Sequence, residues 1–249
     1  MKQLMRYRIT SGRAVEVRDV MMETRGHPAR GGKRGTSSPK QRKRNEEEAV
    51  LILARQLNAN CKGGDLFLTL KYSDGRLPAT KKDAKRIARN FIRRLARAYK
   101  KATGQKLTWW LVTANTSTKT GRPVRLHHHV VMNALDWDLI ARHWPPEEFS
   151  YRRLDATGDY TAVARYMIRN AGYGGERAWS HSQGIKQPKY STPIPVKRAG
   201  TVKVPPSARI VEREIREDTE AGFSSAYIRW VMPLTDHTAR HGRRKKQDE

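Results

Sequence analysis

The run Leu126 to Met132, LHHHVVM, sets three consecutive histidines inside an apolar, β-branched stretch. Such a stretch reads as a strand, and strand side chains alternate faces with a period of two. His127 and His129 therefore share one face and His128 takes the other. Two imidazoles at i and i+2 can converge on one metal ion when a neighbouring strand brings a third ligand, commonly a carboxylate or an amide. A packed strand whose histidines are purely structural is the other reading of the same residues. Either reading puts the run in a β-sheet.

Two more strands flank it in sequence. Asp65 to Tyr72 (DLFLTLKY) is β-rich and closes at Ser73-Asp74-Gly75, and Leu107 to Thr113 (LTWWLVT) is followed by a polar loop turned by Gly121 and Pro123. Trp109 and Trp110 face opposite sides of their strand, and the expectation is core for both, with one of them available to stack on an unpaired base. A helix is expected from Asn45, where Glu48 completes a capping box, and runs through AVLILARQL. A long helix is expected over 80–103, where Ile87, Phe91, Leu95 and Ala98 make one apolar stripe. Shorter helices are expected at 136–143, at 159–170 with Asp159 as N-cap, and near 208–218, and a last strand over 225–232. Few strands separated by helices indicate an α+β fold.

The partner is read from charge. The 249 residues hold 51 Lys and Arg against 24 Asp and Glu, a net charge of +27. An acidic small molecule needs only a few positive charges, whereas this excess points to a polyanion, and nucleic acid is the expected one. One cysteine, Cys61, excludes a disulfide scaffold and a Cys-rich zinc module and fits a reducing cytoplasm. The start, MKQLMRYRIT, has no apolar segment of signal-peptide length, and the longest aliphatic run, Ala49 to Ala54, is far short of a membrane span.

Four segments are expected. Residues 1–44 carry 13 Lys and Arg against 3 Asp and Glu and read as a flexible basic arm ending in Arg42, Lys43 and Arg44. Residues 45–190 form the main domain, 191–238 a C-terminal extension packed on it, and 239–249 a charged tail. In the main domain, Lys85, Arg86, Arg89, Arg93 and Arg94 line the 80–103 helix, as a solvated face or as a phosphate-tracking one.

On the 159–170 helix, Tyr166 and Arg169 stand at i and i+3 and share a face. Tyrosine forms a stable phosphodiester intermediate. Its ordinary pKa is about 10, and a nearby guanidinium favours the phenolate and neutralises phosphate. A core tyrosine on an amphipathic helix is the alternative.

Taken together, four stretches resemble the HUH endonucleases, and within them the rolling-circle replication initiators of bacterial plasmids and phages. FLTLKY (Phe67 to Tyr72) is similar to the family's first motif. LHHHVVM resembles its His-hydrophobe-His metal motif, with His128 in the middle place. VARYMIR (Val163 to Arg169) resembles its nucleophile helix, with Arg169 where lysine is usual. Trp179-Ser180-His181-Ser182 resembles a segment of one bacterial branch. The resemblance spans about residues 45–190.

It implies a sheet of about five antiparallel strands with flanking helices, a divalent Mg²⁺ or Mn²⁺ on His127 and His129, and Tyr166 as the nucleophile giving a 5′-phosphotyrosine and a free 3′-OH. Arg169 would steady the phosphate. The family often supplies a third ligand from the preceding strand. Ala114 occupies that place here, and Asn115 is the nearest residue able to coordinate. The implied partners are single-stranded DNA at a replication origin and, because no GxxxxGK[ST] phosphate loop is present, a host helicase along with a host DNA polymerase, in a bacterial cytoplasm. Tyr160 lies off the face of Tyr166, so a single-tyrosine mechanism is expected. A transposase or mobilisation relaxase of the same superfamily, an inactive initiator, and a non-catalytic nucleic-acid-binding protein are the rivals.

Overall fold

A computed structural model describes residues 2–23, 37–117, 120–172, 178–218 and 223–234. The chain divides into two compact units, one made of Met1–Arg8, Val15–Thr24 and Ser191–Glu249, the other of Ile9–Ala14 and Arg25–Tyr190. The elements in chain order are β1 (Lys2–Ser11), β2 (Ala14–Glu23), α1 (Pro39–Asn60), β3 (Leu66–Leu70), α2 (Lys81–Thr103), β4 (Trp109–Thr116), β5 (Pro123–Met132), α3 (Trp137–Ala141), β6 (Phe149–Arg153), α4 (Thr161–Ala171), β7 (Trp179–His181), β8 (Lys189–Tyr190), β9 (Ile194–Pro195), β10 (Arg209–Asp218) and β11 (Phe223–Val231).

The larger unit is built on a five-stranded antiparallel sheet in the order β6-β3-β5-β4-β7. Alternation along each strand sorts its residues between two cores. Leu66, Leu68, Leu70, Leu111, Val130 and Met132 face one way and pack with Ala88, Phe91, Ile92 and Leu95 of α2 and with Trp144. Phe67, Trp110, Val112 and Val131 face the other way and pack with Val50, Leu53 and Leu57 of α1 and with Ala164, Met167 and Ile168 of α4. The expected α+β class and a sheet of five strands are present in this unit.

Helix ends follow local chemistry. The α2 start is capped by Thr80, whose Oγ1 accepts from the Asp83 backbone N–H at 3.1 Å, and the helix stops at Gly104 in the left-handed conformation. At α1 the structure corrects the expected start. Ser38 is the N-cap, accepting from the Gln41 N–H at 3.2 Å, and Pro39 takes the first turn, where its missing N–H costs nothing. Arg42, Lys43 and Arg44 are therefore helical residues.

The smaller unit corrects two further expectations. Residues 2–23, read as part of a flexible arm, form the paired strands β1 and β2, joined by a tight turn at Gly12-Arg13, with Gly12 at positive φ. Residues 209–218, read as a helix, form β10, which pairs antiparallel with β11. The strand order β10-β11-β2-β1, with β9 also on β1, carries a core of Val15, Val17, Ile228 and Trp230 and a second cluster of Leu4, Ala199 and Ala226. The described residues of segment 191–238, expected as an appendage of the main domain, thus share a core with β1 and β2. The rest of the expected arm, 24–36, and the tail, 239–249, lie outside the described residues.

Candidate functional site

The central strand β5 pairs with β3 on one side and β4 on the other, so Thr69, His129 and Val112 stand in one cross-strand row, and Leu70, His128 and Thr113 in the next. His128 points into the α2 core. It is fully buried, with Nε2 at 2.7 Å from the Tyr72 hydroxyl and Nδ1 at 3.0 Å from Thr113 Oγ1. Burial holds its pKa down to about 3, with His127 adding to the effect, so the ring is neutral and spans two hydroxyls.

His127 and His129 share the opposite face, as alternation predicts, with their Nε2 atoms 3.1 Å apart. His127 Nδ1 donates to the Arg125 carbonyl at 2.9 Å, which leaves Nε2 as a lone pair. His129 Nδ1 lies 3.3 Å from Thr69 Oγ1, a hydroxyl that serves either tautomer. With Nε2–H, His129 donates to His127. With Nδ1–H, both Nε2 lone pairs converge. Two cis ligands at about 2.1 Å from an ion lie about 3.0 Å apart, so the pair fits one divalent cation. Burial, first of all, lowers the His129 pKa to about 3, with His127, His128 and Arg152 adding to it, and a neutral imidazole is the form that coordinates. Among the described residues, no group of three or more His, Cys, Asp or Glu could hold a metal ion.

Tyr166 reaches this place from α4. Its ring packs edge-on against His129, with centroids 4.9 Å apart, and against Phe67 at 5.9 Å, while the residue stays 40% exposed. Phe67 in turn stacks on His129 at 5.3 Å. Met167 and Ile168 anchor the helix in the core, which presents Tyr166 along the sheet face. Tyr160 is buried, donates its hydroxyl to the Asp155 carbonyl at 3.0 Å, and has its pKa pushed up to about 12 mainly by burial.

The other expected site residues stand elsewhere. Asn115 Oδ1 accepts from Lys81 Nζ at 3.2 Å, and the same ammonium donates to the Ala171 carbonyl at 2.6 Å, closing the C-terminus of α4. A β-bulge between Ala114 and Thr116 breaks the alternation there. The expected third ligand is thus occupied by a cation. Ala114, directly opposite His127, is fully buried. Arg169 is ion-paired to Glu46 and Glu47 of α1, at 3.3 and 3.7 Å, rather than directed at the histidines. Arg86, Arg89, Arg93 and Arg94 are exposed and Lys85 half-exposed on α2, which covers the sheet face opposite the His127–His129 pair. Arg42, Lys43 and Arg44 are exposed on α1, on the same side as that pair.

One cation beside Tyr166 was not legible in advance. Arg152 on β6 is the cross-strand partner of Phe67, and its guanidinium lies over the Phe67 ring at 4.8 Å. The segment FSYRR has no apolar period to mark it, and Arg152 gains meaning only from the pairing of β6 with β3.

Comparison with known protein families, curated proteins and solved structures returned no match.

Proposed function

We propose that this chain nicks and rejoins single-stranded DNA through Tyr166, as a rolling-circle replication initiator of the HUH type. The observation that carries the reading is the meeting of Tyr166 with the His127–His129 pair, a half-exposed phenol against an imidazole whose neighbour's Nε2 is 3.1 Å away. The net charge of +27 supports a nucleic-acid partner.

In this reading His127 and His129 hold a divalent cation, Mg²⁺ or Mn²⁺, which when bound supplies Lewis-acid polarisation of a phosphate oxygen. Thr69 and the Arg125 carbonyl fix the two rings by their Nδ1 atoms, an outer layer that sets ligand direction. Tyr166 Oη forms a bond to phosphorus, and the bond from phosphorus to the 3′-oxygen breaks. The phenol proton passes to solvent, which Tyr166 contacts, and the leaving oxygen takes a proton to become a 3′-OH. One phosphodiester replaces another, so the same site rejoins ends, and the 3′-OH is an end that a host polymerase extends after a host helicase separates the strands.

The test is a denaturing protein gel after incubation with a pool of single-stranded DNA and Mn²⁺ or EDTA. A covalent adduct that needs metal and is lost in Tyr166→Phe is expected. Absence of any adduct in the wild type would sink the reading. A second reading, a non-catalytic nucleic-acid-binding protein, is favoured by Lys81 occupying Asn115, and predicts metal-independent binding and no adduct.

A further inference from the structure

Arg169, the side chain expected to steady the phosphate, is held by Glu46 and Glu47. The β6 edge offers another. Ser150 and Arg152 pair with Thr69 and Phe67, so they share the face that carries His129. Between β6 and the start of α4 lies a groove of about 710 Å³, lined among others by Phe67, Thr69, Ser150, Arg152, Val163 and Tyr166. This is within the usual range for a site that buries a small organic ligand.

Arg152 is built into that groove. The stack runs from its guanidinium to the Phe67 ring at 4.8 Å and from Phe67 to His129 at 5.3 Å, with Tyr166 against both rings. A guanidinium lying on an aromatic face keeps its N–H donors in its own plane, free to bind an anion side-on. Arg152 has no ion pair among the described residues, unlike Arg76, Arg125, Arg165 and Arg169 in the same unit. Asp155 and Asp159 also line the groove, and their carboxylates accept from the hydroxyls of Thr157 and Thr161. A fork-shaped cation without an ion pair of its own, beside an exposed phenol, matches a phosphodiester oxygen pair.

We propose that Arg152 grips a backbone phosphate of single-stranded nucleic acid in the groove between β6 and α4, placing the chain beside Tyr166. This deepens the nicking reading and rests on it for the identity of the strand. It also sets the direction of approach, along β6 and past Phe67, rather than over the basic face of α2.

The test is fluorescence anisotropy with a short, fluorescein-labelled, single-stranded DNA of mixed sequence, in EDTA, titrated across about 50 to 200 mM salt. The proteins are wild type, Arg152→Ala, Arg152→Gln, Arg152→Lys and, as a control for lost charge in the other unit, Arg216→Ala. Thermal unfolding confirms that each is folded. Arg152→Ala and Arg152→Gln are expected to bind about tenfold more weakly, with the salt slope reduced by about 0.7, the value for one single-strand phosphate contact. Arg152→Lys should keep the slope and lose part of the affinity, and Arg216→Ala should change affinity less than twofold. Unchanged affinity and slope in both Arg152→Ala and Arg152→Gln would overturn the proposal, whatever the gel assay shows. Weakened binding together with no Tyr166 adduct in the wild type would keep the phosphate site and remove the nicking reaction.

Discussion

At the scale of single residues, the three adjacent histidines divide their labour by strand alternation alone. His128 is committed to structure. Tyr72→Phe or Thr113→Val leaves one of its buried ring nitrogens without a partner, and the expected cost is about 1–3 kcal/mol. Urea unfolding at neutral pH measures it, and addition of Mn²⁺ should not restore it. Cys61, at the end of α1, has its thiol pKa raised, first by burial and then by Asp65. The nucleophile is the thiolate, so labelling by iodoacetamide at pH 8 should lag at least tenfold behind that of the urea-unfolded chain and should speed up as pH rises. Much of the site was legible at this scale. The period of two separates His128 from its neighbours, and the resemblance selects Tyr166 among nine tyrosines. Asn115 was not legible, because a bulge re-aims it and because Lys81, its partner, lies 34 positions away in sequence.

At the scale of elements, α4 is the part that turns a sheet into a candidate site. Its outer contact with α1 is a set of exposed ion pairs, Arg165 with Glu47 and Arg169 with Glu46 and Glu47. Such pairs are worth about 0–1 kcal/mol, so Arg169→Ala should lower stability by less than about 1 kcal/mol. Its inner contact is apolar, and Met167→Ala should cost about 2–5 kcal/mol by the same chemical denaturation and displace Tyr166 as well. The helix must also stop sharply. Gly172 has a φ of +67°, and a Cβ there would come 2.5 Å from Thr116 Oγ1. Only glycine fits both demands. The periodic elements β3, β4, β5, α2 and α4 were all legible, since each has an apolar face. The first turns of α1 were not, because KQRKR has no apolar face and the cap at Ser38 precedes it. Nor was β10, whose alternation of Ile with charged residues is open to solvent on an edge strand and resembles a polar helix.

At the scale of the whole molecule, charge and connectivity act over different distances. If about six phosphates are neutralised, affinity for single-stranded DNA should fall by about 300-fold between about 50 and 200 mM salt. A flat salt response in a filter-binding series would mean that the excess charge is not spent on a polyanion. The smaller unit has its own core, and Trp230→Ala should cost about 3–5 kcal/mol there, read as faster hydrogen exchange in β2 and β11. That unit was not foreseen because its strands come from opposite ends of the chain, and no local pattern in residues 2–23 reveals a partner about 200 positions later.

The same interleaving imposes an order on synthesis. The five strands of the larger sheet have all been synthesised once His181 is added, so the unit that carries Tyr166 and the histidine pair can close before β11 is made. The strands β1 and β2 emerge first and are partnered last, by β11. At about 5–20 residues per second, they wait about 10–40 seconds for it. A lone pair of strands is marginal in water, and Val15 and Val17 stay uncovered for that time. Of the described strands, the first two made are therefore the last to be covered, and chaperone binding or misassembly on a slowed ribosome should concentrate on them.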